Sequence, residues 1–399
     1  MRSRPDERRD RSRSAANVAL DTMLSSVQEG SSATPFPWPA GSATGIGSMP
    51  GTDPAEATAV VLGELPHLPF LPELPARGPG ADLIGRTAAL LVDLPAETTA
   101  GGWRLAARPG RDVRLAAGMM SADLDAMEEA AAGFTGTFKI QLCGPWTLAA
   151  TLELSRSIEP VLADPGALAD LVASLAEGVA AHVGAVRRRL PGATLLVQLD
   201  EPALPGVLAG AVPSASGLRR LSAVDTSVAT ASLRRVLAAA QAPTLVHCCA
   251  PEIPFACLTH AGASAAAFDL TLVRRQDEDA LGEAVEVGLG MFAGVVPTTP
   301  GRRRSSGSAG AGGALSDGGR PGSGHSGSSQ AEAAARDAAM AVIRMWRRIG
   351  LPVGRLSEQV VISPACGLPD ASPARARAVL AQCQTAARLA PELIEDGAT

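Results

Sequence analysis

The chain has 399 residues, with 35 Lys plus Arg against 40 Asp plus Glu and a formal net charge of -5. That balance leaves no electrostatic footprint for nucleic acid, and the arginine runs at 187–189 and 302–304 read as solvated faces or linker. No apolar run offers the roughly 20 residues a membrane helix needs. The Arg-rich N-terminus lacks the apolar core of a secretory signal, so the expected compartment is the cytoplasm.

Residues 1–40 mix Arg, Asp, Ser, Gly and Pro with little apolar periodicity, a composition that cannot offset its ordering entropy and predicts a disordered tail. From 41 to 395 short apolar runs alternate with Ala/Leu/Arg-rich segments of helical period. The expected strands are 43–49, 69–75, 137–144, 194–200, 243–249, 265–270, 291–296 and 359–366. Helical runs follow at 53–65, with Asp53 as N-cap and Pro54 in the first turn, and at 164–190, 226–240 and 330–350. The stretch 301–329 is Gly/Ser-rich and predicts a flexible insertion. Eight β-then-α units predict one α/β domain, a TIM (β/α)8 barrel over 41–395, with a segment near 103–120 left unplaced.

Barrel sites lie at the C-terminal ends of the strands, and the polar residues of this chain fall there. Ser48 closes the first run, Asp200 and Glu201 the fourth, His247 to Cys249 the fifth, Asp269 the sixth and Cys366 the eighth. Six cysteines in a large chain of this kind suggest free thiols, metal ligands or catalysis rather than a disulfide frame. Side chains alternate along a strand, so His247 and Cys249 share a face and Cys248 takes the other. An imidazole and a soft thiolate suit zinc; Cys366 supplies a third donor and Asp269 an exchangeable carboxylate, the pattern of a catalytic rather than a closed structural site. Taken alone, His-x-Cys equally describes a packed histidine and a buried thiol. Cys143, Cys257 and Cys383 read as core or helix-face residues.

The pieces "TGIGSMPGT" (44–52), "QLDEPAL" (198–204), "VHCC" (246–249) and "PACGL" (364–368), in this order and spacing, resemble the catalytic barrel of cobalamin-independent methionine synthase. The resemblance extends to the superfamily that includes uroporphyrinogen decarboxylases. It implies a Zn2+ ion held by His247, Cys249 and Cys366, with Asp269 where the family usually has glutamate. It further implies that Ile46, Gly47, Ser48 and Asp200 hold the amino-acid part of a homocysteine-like thiol. Asp200 is expected to pair with the ammonium, several ångströms from the metal, and the Ser48 hydroxyl to meet the carboxylate. On the residues alone, Ser48 also fits a turn serine, and Asp200-Glu201-Pro202 a helix N-cap with a first-turn acid.

The chain departs from that family in three places. A disordered tail stands where the synthase has a second barrel. "GVVPTTPG" (294–301) carries no proton-donating histidine. The segment 74–86 after the second strand offers Arg77, Asp82 and Arg86 but no evident acidic partner for the substrate amine. The implied activity is therefore zinc-dependent methyl transfer to a thiol, with a methyl-folate or a methylated corrinoid carrier protein as donor. A non-catalytic zinc or thiol binder and a decarboxylase-branch relative stand as alternatives.

Overall fold

The computed structural model describes residues 36–299 and 326–397. The expected tail up to 35 and the insertion from 301 to 325 lie outside them. The tail boundary at 40 is too late: the indole of Trp38 is buried, meets the Phe292 ring edge-on at 4.9 Å and donates from Nε1 to the Glu358 carbonyl. At the other boundary the helix Ser326–Arg348 begins inside the stretch expected as coil.

The architecture is α/β. Strands β3 (Thr137–Cys143), β4 (Thr194–Asp200), β5 (Thr244–His247), β6 (Ala265–Asp269), β7 (Gly290–Val296) and β8 (Val360–Pro364) form one curled parallel sheet in chain order. All six fall on expected strands. The segment left unplaced holds an antiparallel hairpin, β1 (Ala96–Thr99) and β2 (Gly102–Leu105), and the helix Arg111–Ala130.

The first two expected strands are extended segments held by isolated parallel bridges rather than regular ladders. Ala43 bridges Ile362 of β8, Ser48 bridges Glu73, and Phe70 bridges Lys139 of β3. Pro69, Pro72 and Pro75 each lack an N–H, and Gly45 and Gly47 weaken strand propensity, so neither segment can sustain a ladder. The backbone bonds Ile362 N to Ser42 O, Glu73 N to Gly47 O and Lys139 N to Pro69 O nevertheless link both edges of the six-stranded sheet through these segments.

Helices cover the outer face. The helix Pro165–Arg189 is long and apolar enough by composition to cross a membrane, contrary to the expectation from run length. Over half of its most apolar window is buried in the fold, Leu171, Leu175, Val179, Val183 and Val186 all facing the core, which is the position of a core helix. Strands β7 and β8 approach closely at Gly294. A Cβ there would lie 2.7 Å from the Phe268 carbonyl oxygen and 2.9 Å from the Ala365 Cα, both backbone atoms that cannot rotate away. Gly294→Ala is expected to cost about 1–3 kcal/mol by overpacking, measured by denaturant unfolding with an unchanged slope.

Candidate metal centre

Parallel register sets the centre of the site. Asp200 ends β4 directly opposite His247 at the end of β5, so their side chains leave the sheet on the same face at the same level. His247 Nδ1 and Asp200 Oδ1 are 2.8 Å apart, with both residues buried. With Nδ1–H held by the carboxylate, Nε2 is left as the ring's lone-pair nitrogen. That nitrogen is buried and has no hydrogen-bond partner among the described residues. A buried acceptor without a partner is costly and points to a ligand it is built to receive.

The ladder continues one residue past His247, since Cys248 N donates to Ala267 O. Alternation then turns Cys248 outward, where it is buried and desolvation pushes its thiol up to about 12. Cys249 turns inward and is partly buried. From β8 the backbone runs through Ala365, whose N–H donates to Val296 O, and returns against the first segment where Leu368 N donates to Ser48 O. This turn brings Cys366 to His247 and Cys249, and the three donor atoms lie within 4.8 Å of one another. Bound to one zinc at about 2.0–2.3 Å, such donors would sit roughly 3.5 Å apart, a small contraction. The two thiols share a hydrogen bond that lowers Cys366 to about 6, while that bond and burial push Cys249 up. A soft pair of sulfurs beside an oriented imidazole nitrogen fits zinc.

Asp269 requires a correction. It does not belong to this cluster: its Oδ1 accepts from the Thr271 N–H at 2.8 Å and from the Thr271 hydroxyl at 2.6 Å, capping the short turn Leu270–Leu272. The partner of Asp200 on β5 is His247. Asp200 also accepts from Gln198 Nε2 at 2.7 Å.

The trio lines a pocket of about 320 Å³. Ile46, Gly47, Ser48 and Glu73 line the same pocket. Glu73 stands one residue ahead of the stretch 74–86, inside the second extended segment. Its Oε2 accepts from the Ser48 hydroxyl at 3.2 Å, and Arg86 Nε lies 3.6 Å from Oε1. Burial raises the Glu73 carboxyl, with Arg86 opposing and Asp200 adding to the shift. Asp200 lines the same pocket, so two carboxylates converge on a space that also meets the Ser48 hydroxyl. Thr298, just past β7, and Pro369 and Asp370 complete the rim. Glu201, next to Asp200, faces away: it accepts from the N–H groups of Trp146 and Thr147 and the Thr147 hydroxyl at the start of the helix Pro145–Thr151.

No protein-family model matches the chain, and no curated protein does. Among solved structures it resembles a B12-independent methionine synthase from Shewanella sp. W3-18-1, solved in complex with selenomethionine. The match covers 90% of this chain and 99% of that one at 11% identity, with a TM-score of 0.55. The two share a fold.

Proposed function

We propose that the chain is a cytoplasmic zinc-dependent S-methyltransferase of methionine-synthase type, built as a (β/α)8 barrel whose first two strands are the bridged segments 43–49 and 69–75. The observation that carries the reading is the unpartnered His247 Nε2, which shares with Cys249 and Cys366 a pocket also lined by the carboxylates of Glu73 and Asp200 and by residues 46–48. Donors suited to a metal and groups suited to an amino acid line one cavity. The fold shared with a methionine synthase supports it.

A zinc ion held by these three residues would bind a thiol and keep it as thiolate at neutral pH. The chain's own residues do the rest. Asp200 fixes the imidazole in the tautomer that faces the pocket. Glu73 and Asp200 meet the substrate ammonium, and the Ser48 hydroxyl with the 46–48 backbone meets its carboxylate. In the transfer the sulfur–methyl bond forms as the donor's carbon–nitrogen or carbon–cobalt bond breaks, and the bonding pair leaves on the donor. A folate nitrogen leaving group needs a proton, and Thr298 is a poor acid at the place where one would come from. A methylated corrinoid carrier needs none, so that donor is the better match. The same threonine favours a second reading, a zinc and thiol binder without transfer chemistry.

Glu73→Gln is expected to weaken homocysteine binding by about tenfold or more, the worth of one charge-assisted bond in a partly desolvated site, while zinc content stays unchanged. Calorimetry on the zinc-loaded protein measures it. Homocysteine affinity equal to wild type would remove Glu73 from the amine site.

A further inference from the structure

Beneath the pocket lies a charged group that none of this chemistry uses. Lys139, in the middle of β3, is fully buried and is not part of the pocket wall. Its Nζ donates to the Ile46 carbonyl at 2.8 Å, to Gln198 Oε1 at 2.9 Å and to Gln141 Oε1 at 3.4 Å. The protonated amine has three donors and no acceptor, and these three contacts use all of them. Gln198 spends its Nε2 on the same Ile46 carbonyl at 2.9 Å and on Asp200 Oδ1 at 2.7 Å. Gln141 donates to Leu71 O at 2.6 Å, and its side chain lies so close beneath Gly47 that a Cβ there would approach Gln141 Cγ to 2.8 Å.

These bonds converge on the amino-acid end of the pocket from behind. One carbonyl, that of Ile46, is pinned by two donors just ahead of the 47–48 backbone. One carboxylate, that of Asp200, is tied through Gln198 to the same ammonium. Burial lowers Lys139 to about 7, while Asp200 and Glu73 pull the other way. An apolar side chain of equal length would fill the space, but it would leave the side-chain oxygens of Gln198 and Gln141 without this donor and the Ile46 carbonyl with Gln198 Nε2 alone.

We propose that Lys139 is a positioning residue for the amino-acid end of the substrate, setting the 46–48 backbone and, through Gln198, the Asp200 carboxylate so that they meet an α-amino acid rather than a plain thiol. The proposal rests on the reading of the pocket as a homocysteine-like site. Lys139 touches neither the substrate nor the three metal-facing donors; it acts through the groups that do.

The test uses the full-length, zinc-loaded protein and two probes that share a sulfur: homocysteine, and propanethiol, which has no amino-acid group. Lys139→Met, which keeps length and removes the donors, is expected to raise the homocysteine Kd by about 10- to 100-fold. The propanethiol Kd should stay within about twofold and the zinc content should not change, because the direct bond between Asp200 and His247 at 2.8 Å remains in this variant. Lys139→Arg, which restores a cation, should recover most of the lost affinity. A folded Lys139→Met with unchanged homocysteine affinity, or with both thiols weakened alike, overturns the proposal. Should Lys139→Met fail to fold, Gln198→Leu decides instead by cutting the link to Asp200: selective loss of homocysteine supports the positioning role, and equal effects on both thiols overturn it. Wild-type protein that binds propanethiol but not homocysteine overturns the amino-acid reading of the pocket, and this proposal with it. Wild-type selectivity with unselective variants overturns the proposal alone.

Discussion

Cys249→Ala and Cys366→Ala are each expected to lose most of the bound zinc, whereas Cys248→Ala keeps about one ion per chain. Cys248 and Cys249 are adjacent, but the ladder bond from Cys248 N to Ala267 O keeps the strand regular through that residue, so Cys248 points away from the face of His247. Removing a thiolate from a set of three leaves two firm donors, a loss of about 3 kcal/mol or more of metal affinity and hence at least a hundredfold. Removing Cys248 costs packing only, up to about 1.5 kcal/mol for a small buried side chain. Metal content after dialysis against a weak chelator reads both effects. Zinc retained by Cys249→Ala and lost from Cys248→Ala would mean that the site faces the other side of β5.

The second large effect is expected at Asp200. Asp200→Asn keeps the shape but can present an amide nitrogen to His247 Nδ1 where a carboxylate oxygen now stands 2.8 Å away. The imidazole then loses the partner that fixes its tautomer, and zinc affinity is expected to fall about 10- to 100-fold, the usual effect of breaking such a support. Homocysteine affinity should fall as well, because the same carboxylate lines the pocket and is proposed to meet the ammonium. A competition assay with a zinc indicator measures the first, and calorimetry at saturating zinc the second. Loss of homocysteine binding with unchanged zinc affinity would restrict Asp200 to the amine site, the role that sequence alone assigned it.

The site was partly legible in the sequence because strand alternation is local. Once 243–249 reads as a strand, the face shared by His247 and Cys249 follows, and Cys248 is set aside. Asp269 shows the limit of the same logic. Its position at the end of β6 is right for a ligand, but Thr271 offers it an N–H and a hydroxyl two residues on, and a local cap competes with a distant metal. Glu73 and Lys139 were hidden for another reason. Glu73 sits between Pro72 and Leu74 and Lys139 between Phe138 and Ile140, and the meaning of each depends on partners distant in the chain: Arg86 and Ser48 for one, Ile46 and Gln198 for the other. Asp200 was legible as a pocket residue but not as the support of His247, since only the register of β4 against β5 sets the two side by side. The fold was legible where helical and strand periods alternate. It was less so at 43–49 and 69–75, where prolines and glycines reduce two expected strands to bridges.

Zinc held by His247, Cys249 and Cys366 with a position open to a thiol is read out by zinc-edge X-ray absorption on the purified full-length protein, before and after addition of homocysteine. The expected result is about one zinc per chain with one nitrogen and two sulfur neighbours from the protein, and a third sulfur at about 2.3 Å once homocysteine is added. A protein that holds no stoichiometric zinc, or a zinc shell that gains no sulfur at saturating homocysteine, would contradict it.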